Sequence, residues 1–265
     1  MSPFQLQVCL SFLIAGSLIA ALTLFAEKLG SRLGGLIANL PSNILVTMIF
    51  ISLAQGTGFV VDMTPAISVG MLVDTFFLLV MVMLLNYGIW AAMTGSLLTW
   101  FVLAILASVL PAGGLWLNTA IYLLVTLAVY LYAEHGLLIP TIGRSGKKYN
   151  LPQIFLRAVF AGGIVAGVVM ISHYAPPYLT GIIGTFPAVL FSSMVILYRN
   201  QGAAFARATG KVMILSSTNI VIYAAAVHYS FPMLGITAGT AVSFLTALAW
   251  IWMIRKIQPY IDTNK

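Results

Sequence analysis

Gly35-Leu-Ile-Ala-Asn-Leu-Pro41 returns as Gly181-Ile-Ile-Gly-Thr-Phe-Pro187, 146 positions later. At that offset Met48 meets Met194, Gln55 meets Gln201 and Gly56 meets Gly202. Further on, Gly70 corresponds to Gly210 and Tyr87 to Tyr229, a smaller offset that a shorter loop would produce. Each copy places a proline about eight residues into an apolar run. There it removes one backbone donor and would free the carbonyl four residues earlier, at Ile37 or Ile183. Repeated halves in a hydrophobic chain are a mark of transport proteins, whose substrate site lies between the halves.

The surrounding composition admits one broad class. Of 265 residues, 61% are hydrophobic and 6% charged, too apolar for a soluble domain to bury. The single cysteine, Cys9, rules out an intramolecular disulfide. The net charge of +7 reads as the basic flanks of membrane helices, not as a nucleic-acid footprint. The N-terminal run lacks a basic leader and belongs to the repeat, so it reads as a retained helix.

Apolar runs long enough to cross a bilayer fall at Leu6–Phe25, Leu33–Leu53, Ala66–Leu85, Ile89–Leu110, Leu115–Tyr132, Ile154–Ile171, Leu179–Leu197, Val212–Val227 and Met233–Ile254. With nine spans, all twelve Lys and Arg residues lie on one side. They are Lys28 and Arg32; Arg144, Lys147, Lys148 and Arg157; Arg199, Arg207 and Lys211; and Arg255, Lys256 and Lys265. The positive-inside rule makes that side cytoplasmic, with the N-terminus outside and the C-terminus inside an inner (cytoplasmic) membrane. Eight or ten spans would split the clusters.

The expected fold is therefore an all-α integral membrane domain over residues 1–265. Residues 6–110 form one four-helix repeat, 115–132 a linker helix and 154–254 a second repeat. Five spans separate the start of one unit from the start of the next, so the units are inverted, an arrangement suited to alternating access.

Each half resembles the GlpM-like family of small four-helix inner-membrane proteins. The residues that carry the resemblance are Gly181–Pro187, Gln201-Gly202 and Arg207-Ala-Thr, with a weaker version at Gly35–Pro41. The position of Arg157, basic in the family, is Ser11 in the first half. The resemblance implies a fused duplication of an integral membrane unit and brings no defined reaction with it.

Asp74 is the sharpest single residue, the one acid well inside an expected span. An ionised carboxylate there costs several kcal/mol unless it is paired or hydrated, so Asp74, with neighbouring Thr75, is the candidate coupling-ion site, set against a purely structural interhelical bond. Ser216, Ser217, Thr218 and Asn219, in the matching region of the second half, are expected to face it. Asn39, Pro41, Ser42 and Asn43, with Thr185 and Pro187, would make a broken-helix substrate site, against the alternative of a packing kink. Glu134-His135 reads as a solvated helix end. His173 and His228 are too scattered to suggest a metal. Trp90, Trp100, Trp116, Trp250 and Trp252 read as interface anchors. Tyr122, Tyr130 and Tyr132 read as packing residues of the linker.

No P-loop, nucleophile–base pair or paired Cys ligands occur, so neither an enzyme nor a cofactor is expected. The partners expected are the bilayer and a small-molecule or ion substrate, with no nucleic acid. The leading reading is a secondary transporter or facilitator of a small solute. The alternative is a non-transporting subunit or scaffold for an envelope-polymer or lipid pathway. An ion channel ranks third. Reporter fusions at Thr57, Gly146 and Lys265 should read outside, inside and inside; a cytoplasmic signal at Thr57 would refute the nine-span topology.

Overall fold

The computed structural model describes residues 3–28, 40–111, 113–140, 142 and 150–261, with backbone alone for 25–28 and 258–261. Among them every regular element is helical. The elements are α1 (Pro3–Lys28), α2 (Ser42–Gln55), α3 (Thr57–Leu84), a 3₁₀ turn (Leu85–Tyr87), α4 (Ile89–Val109), α5 (Leu115–Leu131) and a π-helical turn (Tyr132–Gly136). They continue with α6 (Leu151–Ile171), α7 (Pro177–Gly184), α8 (Ala188–Ser216) and α9 (Thr218–Ile261).

Six helical runs among the described residues are long and apolar enough to span a membrane. Five of them coincide with expected spans one, three, four, five and six. The described part of span two, Ser42–Gln55, has 14 residues and is too short alone; residues 33–39 lie outside the described set. Spans seven to nine fall within one 81-residue run, Pro177–Ile257. That run is interrupted by Thr185–Pro187 and by left-handed backbone at Gly202 (φ 84°, ψ 176°) and Gly235 (φ 74°, ψ 178°). Only glycine adopts such angles without strain. Gly56 (φ 88°, ψ 160°) and Gly88 (φ 108°, ψ 165°) make the same turns at the two ends of the α3 segment.

The prolines do not kink continuous helices. Pro187 stands between α7 and α8, and Pro41 stands before α2, each as a helix N-cap. Their backbones match closely, at φ −77°, ψ 46° for Pro41 and φ −77°, ψ 44° for Pro187. Each sits at the centre of an inverse γ-turn, closed by Ser42 N to Leu40 O at 2.8 Å and by Ala188 N to Phe186 O at 2.7 Å. The carbonyl of Ile183, expected to be free, accepts from Phe186 N at 3.0 Å, because the chain tightens as α7 ends. Ile37 lies outside the described residues.

α3 is the hub, packed on α2, α4, α5, α7, α8 and α9, and its buried face runs from Val60 to Val82. α1 makes its most extensive contact with α6. The ring of Phe4, at the start of α1, lies 4.8 Å from that of His173, just past the end of α6, so the two helices run antiparallel. Glycines set their separation. A Cβ on Gly16 would meet Ala158 O at 3.0 Å, and one on Gly162 would meet Phe12 O at 2.6 Å. α7 crosses α3 by the same device, since a Cβ on Gly181 would meet Met63 O at 2.7 Å.

Gly162→Ala should therefore cost about 1–3 kcal/mol through overpacking against main chain that cannot give way. Gly163→Ala, whose Cβ would meet nothing within 4 Å, should be near neutral. Thermal unfolding of the two variants in detergent separates the outcomes.

Candidate functional site

The middle of α3 carries Asp74 and Thr75, which retain 2% and 1% of their exposure. Trp100 of α4 donates Nε1–H to Asp74 Oδ1 at 2.9 Å. Trp100 is thus a buried partner of the carboxylate and no interface anchor. Thr75 Oγ1 donates back to Met71 O at 3.1 Å and lies 3.1 Å from Thr126 Oγ1 on α5. Two turns earlier Ser68 meets Thr119 at 3.0 Å. The heptad spacing on both helices makes α3 and α5 a parallel pair, stitched by buried hydroxyls.

Tyr122, fully buried on α5, extends the cluster. Its hydroxyl lies 3.3 Å from Ser217 Oγ and sits among Thr75, Thr126 and Asp74. Tyr122 therefore stands between the Asp74 region and the Ser216–Asn219 stretch, which were expected to face one another directly. Ser217 also donates to Ile214 O at 2.9 Å. Thr218 donates to Leu215 O at 2.8 Å and accepts from Trp250 Nε1 at 2.9 Å. Ser216 is half-buried and leans on Met213 O at 3.4 Å, while Asn219 is buried. The result is a carboxyl set in a hydroxyl-rich, apolar-walled core, chemically able to exchange a proton or hold a small cation.

The proline residues expected at a substrate site do not join this cluster. Pro41, Ser42 and Pro187 are buried. Asn43 Oδ1 is buried with no hydrogen-bond partner among the described residues, and Asn39 lies outside them. Thr185 donates to Ile182 O at 2.8 Å and abuts Gly70 of α3.

Three features escaped the sequence reading. The first is the pair formed by Glu134 and Lys211, both with fully buried side chains. Glu134 is no solvated helix end, because the π-helical turn swings it inward. Lys211 Nζ donates to Glu134 Oε2 and, at 2.8 Å, to Ile139 O. Leu138, at φ 49°, takes the left-handed turn that presents this carbonyl. The signal was available: an acid ending span five and a base opening span eight, both expected on one side.

The second is Pro65 inside α3, which cannot donate to Val61 O. That carbonyl accepts from Thr64 Oγ1 at 2.8 Å and lies 3.3 Å from His228 Nδ1. The same Nδ1 lies 2.7 Å from Thr64 Oγ1, so the ring, the hydroxyl and the carbonyl form one cluster. The third is Arg207, whose Nε donates at 3.0 Å to Val82 O near the other end of α3.

No group of three metal-ligating side chains occurs among the described residues. Trp90, Trp116 and Trp252 are exposed, as anchors would be, while Trp250 turns inward to Thr218. Tyr122 and Tyr130 are packed, and Tyr132 is half exposed.

Lys211→Met should strand Glu134 in the interior and cost about 3–5 kcal/mol. Adding Glu134→Gln should restore most of that loss, because a neutral pair no longer needs compensation. Denaturant unfolding of the single and double variants measures the coupling, and additive losses would refute it.

Comparison with known proteins adds one region of similarity. A family model described as "Protein of unknown function (DUF3147)" matches residues 8–110, the stretch from α1 to the end of α4. No curated protein and no solved structure matches the chain. Over its first four-helix segment, then, the chain is similar to a family whose function is unknown.

Proposed function

We propose that the chain is a secondary transporter or facilitator of a small solute in the cytoplasmic membrane, built from two inverted four-helix units around α5. The observation that carries this reading is an exchange of partners across the halves. Val61 O meets His228 while Arg207 meets Val82 O; 61 and 207 differ by 146, as do 82 and 228. Thr64 meets His228 as Gly210 meets Val82, again at 146. Gly16 beside Ala158 and Gly162 beside Phe12 repeat the exchange a third time. Residue i touching j′ while j touches i′ is the signature of a two-fold relation. Because α1 and α6 are antiparallel, the axis lies across the helices, hence in the membrane plane.

Further support comes from the matched backbones at Pro41 and Pro187, Gly56 and Gly202, and Gly88 and Gly235. The two left-handed glycines divide the long run into three segments, as spans seven to nine of the proposed topology require. The glycines keep the register at 146 to 147, so Gly70 pairs with Ser216 and not with Gly210. Asp74 then corresponds to Ile220, and the coupling acid belongs to one unit alone. The family match, residues 8–110, has nearly the bounds of the first unit.

α5 ties the two units unequally. Asn118 near its start donates to Pro65 O at 3.1 Å; Glu134 beyond its end holds Lys211, again 146 positions from 65. One end of the molecule is closed by a neutral hydrogen bond and the other by a buried ion pair. In the proposed cycle the stronger closure is on the Lys211 side, cytoplasmic in the proposed topology, and that pair parts when the carrier opens inward. The dense, hydrogen-bonded packing around Tyr122 is the one observation that favours a non-transporting scaffold, which flux measurements distinguish.

Asp74→Asn keeps the side chain's shape but cannot ionise. In proteoliposomes it should abolish pH-driven accumulation while leaving solute exchange measurable. Normal accumulation with an unchanged pH profile would remove Asp74 from the coupling role.

A further inference from the structure

Beside the polar centre, α4, α6 and the α7–α8 break line an open crevice of about 370 Å³, within the range of small-molecule sites, with Phe101 and Ile105 exposed at its rim. Its walls are aliphatic and aromatic, with Trp100, Phe101 and Phe186 on one side. Apart from the Trp100 indole, the one polar side chain among its walls is Ser108, whose hydroxyl is spent on Ile105 O at 2.7 Å. Gly163 and Gly167, one turn apart on α6, form the opposite wall. A Cβ on either would meet nothing within 4 Å, so the absence of side chains there keeps the space open. Gly162, by contrast, serves the α1 contact.

Trp100 belongs to both sites. Its ring lines the crevice, and its Nε1 donates to Asp74 Oδ1. It packs edge-to-face on Phe186 at 4.9 Å and on Phe101 at 5.3 Å. A single indole therefore separates an apolar cavity from a buried carboxylate.

We propose that the crevice binds a lipophilic cation, its apolar body beside Gly163 and Gly167 and its charge drawn to the Trp100 ring and the Asp74 carboxylate. The sign follows from the lining. No basic side chain borders the space, whereas three aromatic rings and one acid behind them favour positive charge. Of the basic side chains in the neighbouring core, Arg207 donates to Val82 O and Lys211 to Glu134, and Arg157 of α6 is not part of the crevice wall. A neutral hydrocarbon chain would fit the apolar walls but would make no use of Asp74. The inference names the solute class of the proposed transporter and rests on that reading only for the step from binding to flux.

Equilibrium dialysis of tetraphenylphosphonium against the detergent-purified full chain tests it. Saturable binding is expected, weakened about tenfold or more by Asp74→Asn and by Gly167→Leu, which fills the crevice. Asp62→Asn removes an exposed acid on the same helix and should leave binding within about twofold. Neutral triphenylphosphine oxide should compete at least about tenfold more weakly. Should Asp74→Asn fail to fold, Gly167→Leu and the neutral competitor still decide. No saturable binding, equal affinity in a folded Gly167→Leu, or equal competition by the neutral compound overturns the inference. Loss of co-purifying phospholipid in Gly167→Leu with cation binding intact assigns the crevice to lipid and overturns it as well. Binding as expected without flux in liposomes keeps the site and overturns transport; flux of another solute without cation binding does the reverse.

Discussion

Two main-chain carbonyls of α3 organise this molecule. Pro65 leaves Val61 O without its helical donor, and the helical ladder of α3 gives way to a 3₁₀ turn just past Val82. Where a helix crosses hydrocarbon, water cannot take up such groups, and each one left bare costs several kcal/mol. His228 of α9 and Arg207 of α8, both in the segment between Gly202 and Gly235, reach across to these carbonyls, the first beside the Thr64 hydroxyl that already donates to Val61 O. The crossing of α3 with that segment is thereby fixed at two points, and the elements packed on α3 inherit their places from it.

Charge is handled in two ways inside the same core. Glu134 and Lys211 neutralise one another, with the Ile139 carbonyl taking a further ammonium proton. Breaking such a pair is costly because it leaves one charge stranded. Among the described residues Asp74 makes no ion pair; an indole N–H is its hydrogen-bond donor. A paired site favours one closed arrangement, whereas a carboxyl held by a neutral donor can exchange its partner. In the proposed carrier the first site is the latch and the second the coupling group.

Glycine does two different jobs here. At Gly16, Gly162 and Gly181 the missing Cβ lets backbones touch, which is how membrane helices gain packing energy when lipid is as apolar as they are. At Gly163 and Gly167 it leaves a void. Both uses occur within six residues of α6, so composition alone could not tell them apart.

The sequence by itself determined the membrane class, the spans matching α1, α3, α4, α5 and α6, the breaks at Pro41 and Pro187 and an acid, Asp74, inside a span. Apolar run length, proline chemistry and the cost of an intramembrane acid are local properties, readable without a fold. The 146-residue echo was also visible, including the Gln-Gly pairs that prove to be left-handed turns. Only the tertiary structure decided partners. It turned Trp100 from a lipid anchor into the donor to Asp74, brought Glu134 inward to Lys211, and placed Tyr122 between Asp74 and Ser217. These pairings join residues 26, 77 and 95 positions apart. They depend on which helix faces meet, and in a chain that is apolar on nearly every face, periodicity carries no record of that choice.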